Sequence, residues 1–235
     1  MAKRGGRQHI PRPPSARLGL APVWAEGDPK RRYRLAEVAA AARSLPQLEP
    51  HPAMPPSTRP AAVLMAFFEA DGEARVILTK RPDTMASHQG EIAFPGGKFD
   101  SDLDVDLVAT ALREAHEEVG LDPASVDVVA EMPSRVTVAG RFLLTPFVGL
   151  INARPALHPD PVEVVSVFDV SISELLDDEV YREERWDIPA NLGLGPEVGL
   201  DRPIHFFELP GETVWGATAR ILADFLAHLV TATPA

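Results

Sequence analysis

The sequence predicts an α/β fold: an α/β/α sandwich in which a mixed β-sheet is covered by helices on both faces. Three observations lead there. Short apolar and β-branched runs bounded by Gly, Pro, Asn and Asp recur between Ala61 and Leu209. One helical pattern lies in mid-chain, where Val108, Ala111, Leu112, Ala115 and Val119 share a face. A second closes the chain from Thr213 to Val230, through Val214, Ala217, Ile221, Leu222, Phe225 and Leu229.

Taken in order, residues 1–34 are rich in Arg, Pro and Gly and are expected to lack regular structure. Leu35 to Leu45 is alanine-rich and reads as a short helix, and the proline-dense stretch from Pro46 to Pro60 reads as a linker. The chain therefore divides into a basic, proline-rich extension with a short helix over residues 1–58 and a globular domain over residues 59–232. That domain opens with a buried strand, Ala61–Phe68, turned by Asp71-Gly72 into a partner strand, Ala74–Lys80. A short strand at Glu91–Phe94 precedes the turn Pro95-Gly96-Gly97 and the mid-chain helix, which Gly120 is expected to stop in a left-handed conformation. Strands are expected at Ser125–Met132, at Phe142–Ile151 with Pro146 on an edge or bulge, at Val162–Val170 and at Ile204–Leu209. Ser171 or Ser173 can cap a short helix, and the charged, glycine-rich residues 177–202 read as a loop.

Composition narrows the setting. With 45% hydrophobic residues in 235, a packed core is within reach. No stretch approaches the roughly 20 apolar residues of a membrane span, so no membrane partner is expected. Cysteine is absent, which excludes disulfides and thiolate chemistry, and the N-terminus lacks an apolar signal core, so the cytoplasm is the expected location. Residues 1–34 hold nine basic and two acidic side chains, a net +7, which leaves −18 for the rest of a chain whose total is −11. A body so acidic argues against a nucleic-acid footprint, and the basic arm reads as a solubilising or oligomer-contact segment that chemistry could dispense with. A homodimer is open to the chain.

The chemistry concentrates between Phe94 and Leu121. Glu114, Glu117 and Glu118 stand at i, i+3 and i+4, on one helical face, with the Pro95-Gly96-Gly97 turn leading in. Spacing alone leaves two readings open: a solvated acidic face, or hard oxygen ligands gathered for Mg²⁺ or Mn²⁺.

The run Arg113-Glu114-Ala115-His116-Glu117-Glu118-Val119-Gly120-Leu121 resembles the second half of the Nudix box. The first half departs from it: counting forward from Gly97 puts Leu103, and counting back from Arg113 puts Val105, where the pattern has its first Glu. The connection is about two residues longer and holds Asp100, Asp102, Asp104 and Asp106, one of which could take over the supporting role. Leu78-Thr79-Lys80-Arg81, Ser87-His88-Gln89-Gly90 and Phe94-Pro95-Gly96-Gly97 are similar to the signature that precedes the box in the coenzyme A pyrophosphatase branch of the Nudix hydrolases. Glu163-Val164, Val167-Phe168 and Trp215 to Arg220 also look like that branch. Pro82 and Ala86 stand where the signature has a small residue and an Arg.

The resemblance implies a Nudix-type sandwich and an enzyme, a metal-dependent pyrophosphohydrolase acting on a small nucleotide substrate. For coenzyme A the products would be 3′,5′-ADP and 4′-phosphopantetheine. It implies Glu114 and Glu118 as metal ligands, Glu117 sharing the metal or a bridging water, and the Gly96 carbonyl as a further ligand to Mg²⁺ or Mn²⁺. Arg113 would orient a neighbouring glutamate, and Glu163 would be the candidate general base. Lys80, Arg81 and His88 would meet the substrate, with His116 and Trp215 weaker candidates for base and adenine contact. Two alternatives stand beside this: a Nudix hydrolase of ADP-ribose, dinucleotides or nucleoside triphosphates, and a Nudix module that binds a nucleotide without cleaving it.

Overall fold

A computed structural model describes residues 4–8, 10–28, 31–46, 58–83, 89–136, 142–188 and 199–233. The elements run β1 (Arg17–Leu18), α1 (Leu35–Arg43), β2 (Arg59–Ala70), β3 (Glu73–Lys80), β4 (Ile92–Ala93), β5 (Gly96–Lys98) and α2 (Leu107–Val119). They continue with β6 (Val126–Glu131), β7 (Arg135–Val136), β8 (Phe142–Ile151), β9 (Ser166–Ser171), α3 (Ile172–Leu175), β10 (Tyr181–Ile188), β11 (Gly199–Leu209), β12 (Glu212–Trp215) and α4 (Gly216–Ala232).

The larger sheet has the order β4-β3-β2-β8-β6, with β5 on β2, β7 on β8 and β9 on β3. β2 and β8 are parallel, from Arg59 opposite Phe142 to Phe68 opposite Ile151, and the other pairs are antiparallel, so the sheet is mixed as expected. Alternation along β2 explains its unbroken apolar run. Ala62, Leu64, Ala66 and Phe68 face Ala111, Ala115 and Val119 of α2. Val63, Met65 and Phe67 face the other way, toward Val38 and Ala41 of α1 and Ile221, Phe225 and Leu229 of α4. A strand covered on both faces has no position left for a polar residue.

Local signals behave as their chemistry requires. Asp106 caps α2 by accepting from the Ala109 N–H at 2.8 Å, and Gly120 ends it at φ 68°. Ser171 caps α3. Pro146 does not lie on an edge strand. It falls at the break between the stretches of β8 paired with β7 and β6, and its carbonyl accepts from the Met132 N–H at 2.8 Å.

Two expectations fail, for linked reasons. Within residues 177–202, expected as a loop, Tyr181–Ile188 forms a strand of a second sheet, β1-β10-β11-β12. Its charged residues are buried in pairs: Arg182 with Glu184 and Glu208, and Arg185 with Glu183. Residues 1–34 do not lie free of regular structure. Arg17–Leu18 adds to β10, Arg4 bridges to Pro210, and Trp24 and Tyr33 enter the main core. Ile10 and Ala16 pack on Trp186, Ile188 and Phe206. The basic arm also meets the acidic body directly, through Arg4–Asp177 at 3.3 Å, Arg12–Glu184 at 2.8 Å and Arg17–Asp187 at 3.5 Å.

Candidate active site

β5 is a strand made by glycines. Gly96 has φ 154°, and a Cβ built on it would lie 2.3 Å from the Ala62 carbonyl oxygen. A Cβ on Gly97 would lie 2.3 Å from the carboxyl of Glu114. Only glycine lets this backbone run between β2 and the acidic face of α2.

That face carries Glu114, Glu117 and Glu118 in unequal surroundings. Glu118 is buried, 4% exposed, and its Oε2 accepts from the Gly96 N–H at 3.1 Å. Arg81 Nη1 stands 3.8 Å from its other oxygen. Burial pushes the Glu118 carboxyl up to about 7; the Gly96 amide and Arg81 oppose that, and the charges of Glu114 and Glu163 add to it. The Glu114 carboxyl is also raised, first by burial, with Arg113 pulling it down and Glu117 and Glu163 pushing it up. Glu117 is half-exposed and turned toward Arg113.

Glu163 reaches this group from a separate loop. The His158 N–H donates to the Val119 carbonyl at 2.8 Å and the Asp160 N–H to the Glu118 carbonyl at 3.0 Å, which ties the loop to the end of α2. The Val165 N–H donates to the Lys80 carbonyl at 2.8 Å, which ties it to β3. Glu163 stands exposed between these anchors, close enough for its charge to act on both Glu114 and Glu118.

Arg113 organises the glutamates. Its Nη1 donates to Glu114 and to Glu117, each at 2.9 Å. Its Nε and Nη2 grip Asp104 at 2.7 and 2.9 Å, and Nη2 also reaches the Lys98 carbonyl at 3.2 Å. Asp104 is buried, accepts in addition from Thr110 Oγ1 at 2.8 Å and the Asp100 N–H at 3.0 Å, and is held by Arg113 well below the usual carboxylate range. Among the four aspartates of the long connection, Asp104 thus supports Arg113, while Asp106 caps the helix. The extra length is taken up by a turn in which the Asp104 N–H closes on the Asp100 carbonyl at 2.7 Å. A signal was present: Asp104 lies one residue from the position counted back from Arg113.

Arg81 and Lys80 part company. Lys80 shares its face of β3 with Val76 and Leu78, on the α4 side, and its Nζ pairs with Glu212 of β12 at 2.6 Å. The structure therefore brings Arg81, and not Lys80, to the carboxylates. Gly96 meets Glu118 through its amide. His116 is exposed and its Nδ1 lies 3.2 Å from the Leu121 carbonyl. Trp215 packs with Trp186 and Phe206, which gives it a place in the second sheet's apolar cluster. His88 and Ala86 lie outside the described residues.

Among the described residues, no three acidic or histidine side chains meet at ion-binding distance. Two of the three glutamates, Glu114 and Glu117, are instead paired with the Arg113 guanidinium, each at 2.9 Å. The donor set nevertheless fits a hard divalent cation. Glu118 and Glu114 are desolvated carboxylates with raised pKa, Glu163 adds a third charge, and the cation facing Glu118 stands at 3.8 Å, beyond hydrogen-bond distance.

A family model for the Nudix domain matches residues 58–188. The chain is 41% identical over 169 residues to the Arabidopsis thaliana protein "Nudix hydrolase 22, chloroplastic", across 69% of this chain and 52% of that protein. With "Nudix hydrolase 15, mitochondrial" of the same plant it shares 39% identity over 171 residues, 69% of this chain and 55% of that one. It thus spans about half the length of the plant relatives. With "Uncharacterized Nudix hydrolase NudL" of Enterobacter sp. (strain 638) it shares 39% identity over 171 residues, 73% of this chain and 83% of that protein. Among the described residues, no helix is long and apolar enough to cross a membrane.

Proposed function

The chain belongs to the Nudix hydrolase family, and from that premise we propose that it is a divalent-metal-dependent pyrophosphohydrolase whose substrate is coenzyme A or a derivative, with 3′,5′-ADP and 4′-phosphopantetheine as the split products. One observation carries the reading. Arg81 and the Pro95-Gly96-Gly97 turn belong to the signature that resembles the coenzyme A branch, Glu118 belongs to the box, and they meet at one buried carboxylate: the Gly96 amide at 3.1 Å and Arg81 Nη1 at 3.8 Å.

The residues divide the work. Glu114 and Glu118, with Glu117 beside them, would hold Mg²⁺ or Mn²⁺. A divalent ion held there would neutralise diphosphate oxygens and acidify a bound water. Arg113, itself fixed by Asp104, holds the carboxylates of Glu114 and Glu117 in place through its Nη1. Arg81 offers a second cation on the rim of the buried carboxylate, suited to a phosphate oxygen. Glu163 is exposed, ionisable and mounted on a loop anchored at two points, which suits it to take the proton from an attacking water.

A panel of coenzyme A, ADP-ribose, a dinucleoside polyphosphate and a nucleoside triphosphate, each with Mg²⁺ and with Mn²⁺ and read by product mass, tests this. The expected result is 3′,5′-ADP from coenzyme A as the fastest reaction. Faster cleavage of ADP-ribose or another member would reassign the substrate. Saturable nucleotide binding by calorimetry without turnover of any member would overturn the enzymatic reading.

A further inference from the structure

One row of paired residues across the larger sheet carries cations at both ends. Lys98 of β5 pairs with Ala61 of β2, Ala61 with Leu144 of β8, and Leu144 with Arg135 of β7. Residues opposite one another in neighbouring strands project on the same face, so Lys98 and Arg135 share one. It is the face away from α2: Leu144, and Val63 two residues on from Ala61, pack in the core that holds α4.

The floor between the cations is apolar. Ala61 and Leu144 lie on the row, and Phe142, one pleat away along β8, has its ring under Lys98 Nζ at 5.7 Å from the centroid. Phe142 and Leu144 are both partly exposed. With strands about 4.8 Å apart, the row spans about 14 Å, which the two long side chains shorten to the size of one nucleotide.

The Arg135 end holds charge in excess. Arg135 Nη2 donates to Asp224 of α4 at 2.6 Å, and Arg220 Nε donates to the same carboxylate at 3.0 and 3.1 Å. Two guanidiniums thus share one acid. The Arg220 Nη groups have no hydrogen-bond partner among the described residues, and both arginines are 37% exposed, so donors remain open to solvent. The Lys98 end adjoins the carboxylate cluster. A Cβ on Gly97, the residue before it, would strike Glu114, and the Lys98 carbonyl accepts from Arg113 Nη2 at 3.2 Å.

We propose that Arg135 and Arg220, held together by Asp224, bind the remote phosphate of a nucleotide laid along this row, the 3′-phosphate of coenzyme A. The identity of that nucleotide rests on the substrate reading given above. A pair of guanidiniums with donors to spare suits the oxygens of a phosphate, and the apolar floor suits the nucleoside between the two anionic ends. A substrate without this phosphate leaves the pair unanswered, so the pair is a specificity determinant that lies apart from the reacting atoms.

The test compares adenosine nucleotides that differ only in that group. Binding of 3′,5′-ADP and of 5′-AMP to the full-length protein in EDTA is measured by calorimetry, so that neither metal nor turnover enters. The parent should bind 3′,5′-ADP about tenfold or more tightly than 5′-AMP. Arg220→Gln should remove that preference and leave the affinity for 5′-AMP unchanged. Arg135→Gln, which acts from the other side of Asp224, is the second variant should the first fail to fold. Absence of a preference in the parent, or an undiminished preference in a folded variant, would overturn the site. A preference that the variant abolishes, in a parent that leaves coenzyme A uncleaved, would uphold the site and refute the substrate reading.

Discussion

Replacing Glu118 with Gln should make the metal-free protein more stable while removing its function. Burial raises the Glu118 carboxyl from 4.5 to about 7. Below pH 4.5 both folded and unfolded chains hold the proton, and the group has no effect on the balance. Between 4.5 and about 7 the unfolded chain has released its proton and the native chain has not, so stability falls as pH rises. Above 7 the native state carries a buried charge at full cost, on the order of 3–4 kcal/mol at about 1.4 kcal/mol for each tenfold change in proton affinity. Gln keeps an oxygen to accept from the Gly96 N–H and carries no charge. Urea denaturation in EDTA should therefore show Glu118→Gln more stable by about 3–4 kcal/mol at pH 8.5, and by less than about 1 kcal/mol at pH 5. Turnover of the best panel substrate with Mg²⁺ should fall ~100-fold or more. A variant no more stable than the parent at pH 8.5, or one that keeps near-normal turnover, would refute the placement of a desolvated ligand at this position.

Two further predictions test the supports of the site. Asp104→Asn removes the partner of a nearly buried guanidinium and should cost about 3 kcal/mol at neutral pH, with turnover falling because Arg113 also orients Glu114 and Glu117. Since the Asp104 carboxyl is held low, that stabilisation is present above the ordinary carboxylate range and fades as pH falls below it, so the variant and parent should converge in acid. An unchanged denaturation midpoint at pH 7 would remove Asp104 from this role. Deleting residues 1–34 takes Trp24 and Tyr33 out of the core and uncovers Trp186 and Phe206. Losing a large aromatic costs about 3–5 kcal/mol, against a total stability of about 5–15 kcal/mol, so the truncated chain should lose its cooperative thermal transition by circular dichroism. A cooperative melt at the parent's temperature would show the arm to be dispensable.

What was legible in the sequence follows from how far away a residue's partner lies. β2 could be read because its apolar run needs only a covered sheet, and α2 because its period and its Gly120 stop are both local. The three glutamates were legible for the same reason. β10 was not: Arg182 and Glu184 are drawn in by Glu208 and by Arg12, partners 26 and 172 residues away that no window around the strand contains. The unstructured reading of the arm failed with it, since the two segments are each other's cover.

The same distinction decides the site. Lys80 and Arg81 are adjacent cations at the end of β3 and just beyond it, and they turn to opposite sides of the sheet; which side meets α2 depends on the packing of Ile77 and Val76 against different helices. Arg81 thereby reaches Glu118, while Lys80 is neutralised by Glu212, 132 residues away. Asp104 is intermediate, close to Arg113 in sequence yet chosen from four aspartates by a turn that closes on Asp100. His205 lies at the far extreme. Its neighbours in sequence mark it as one residue of an apolar strand, and only Tyr181, brought beside it by the pairing of β10 with β11, gives its ring a partner, at 2.7 Å from Nδ1.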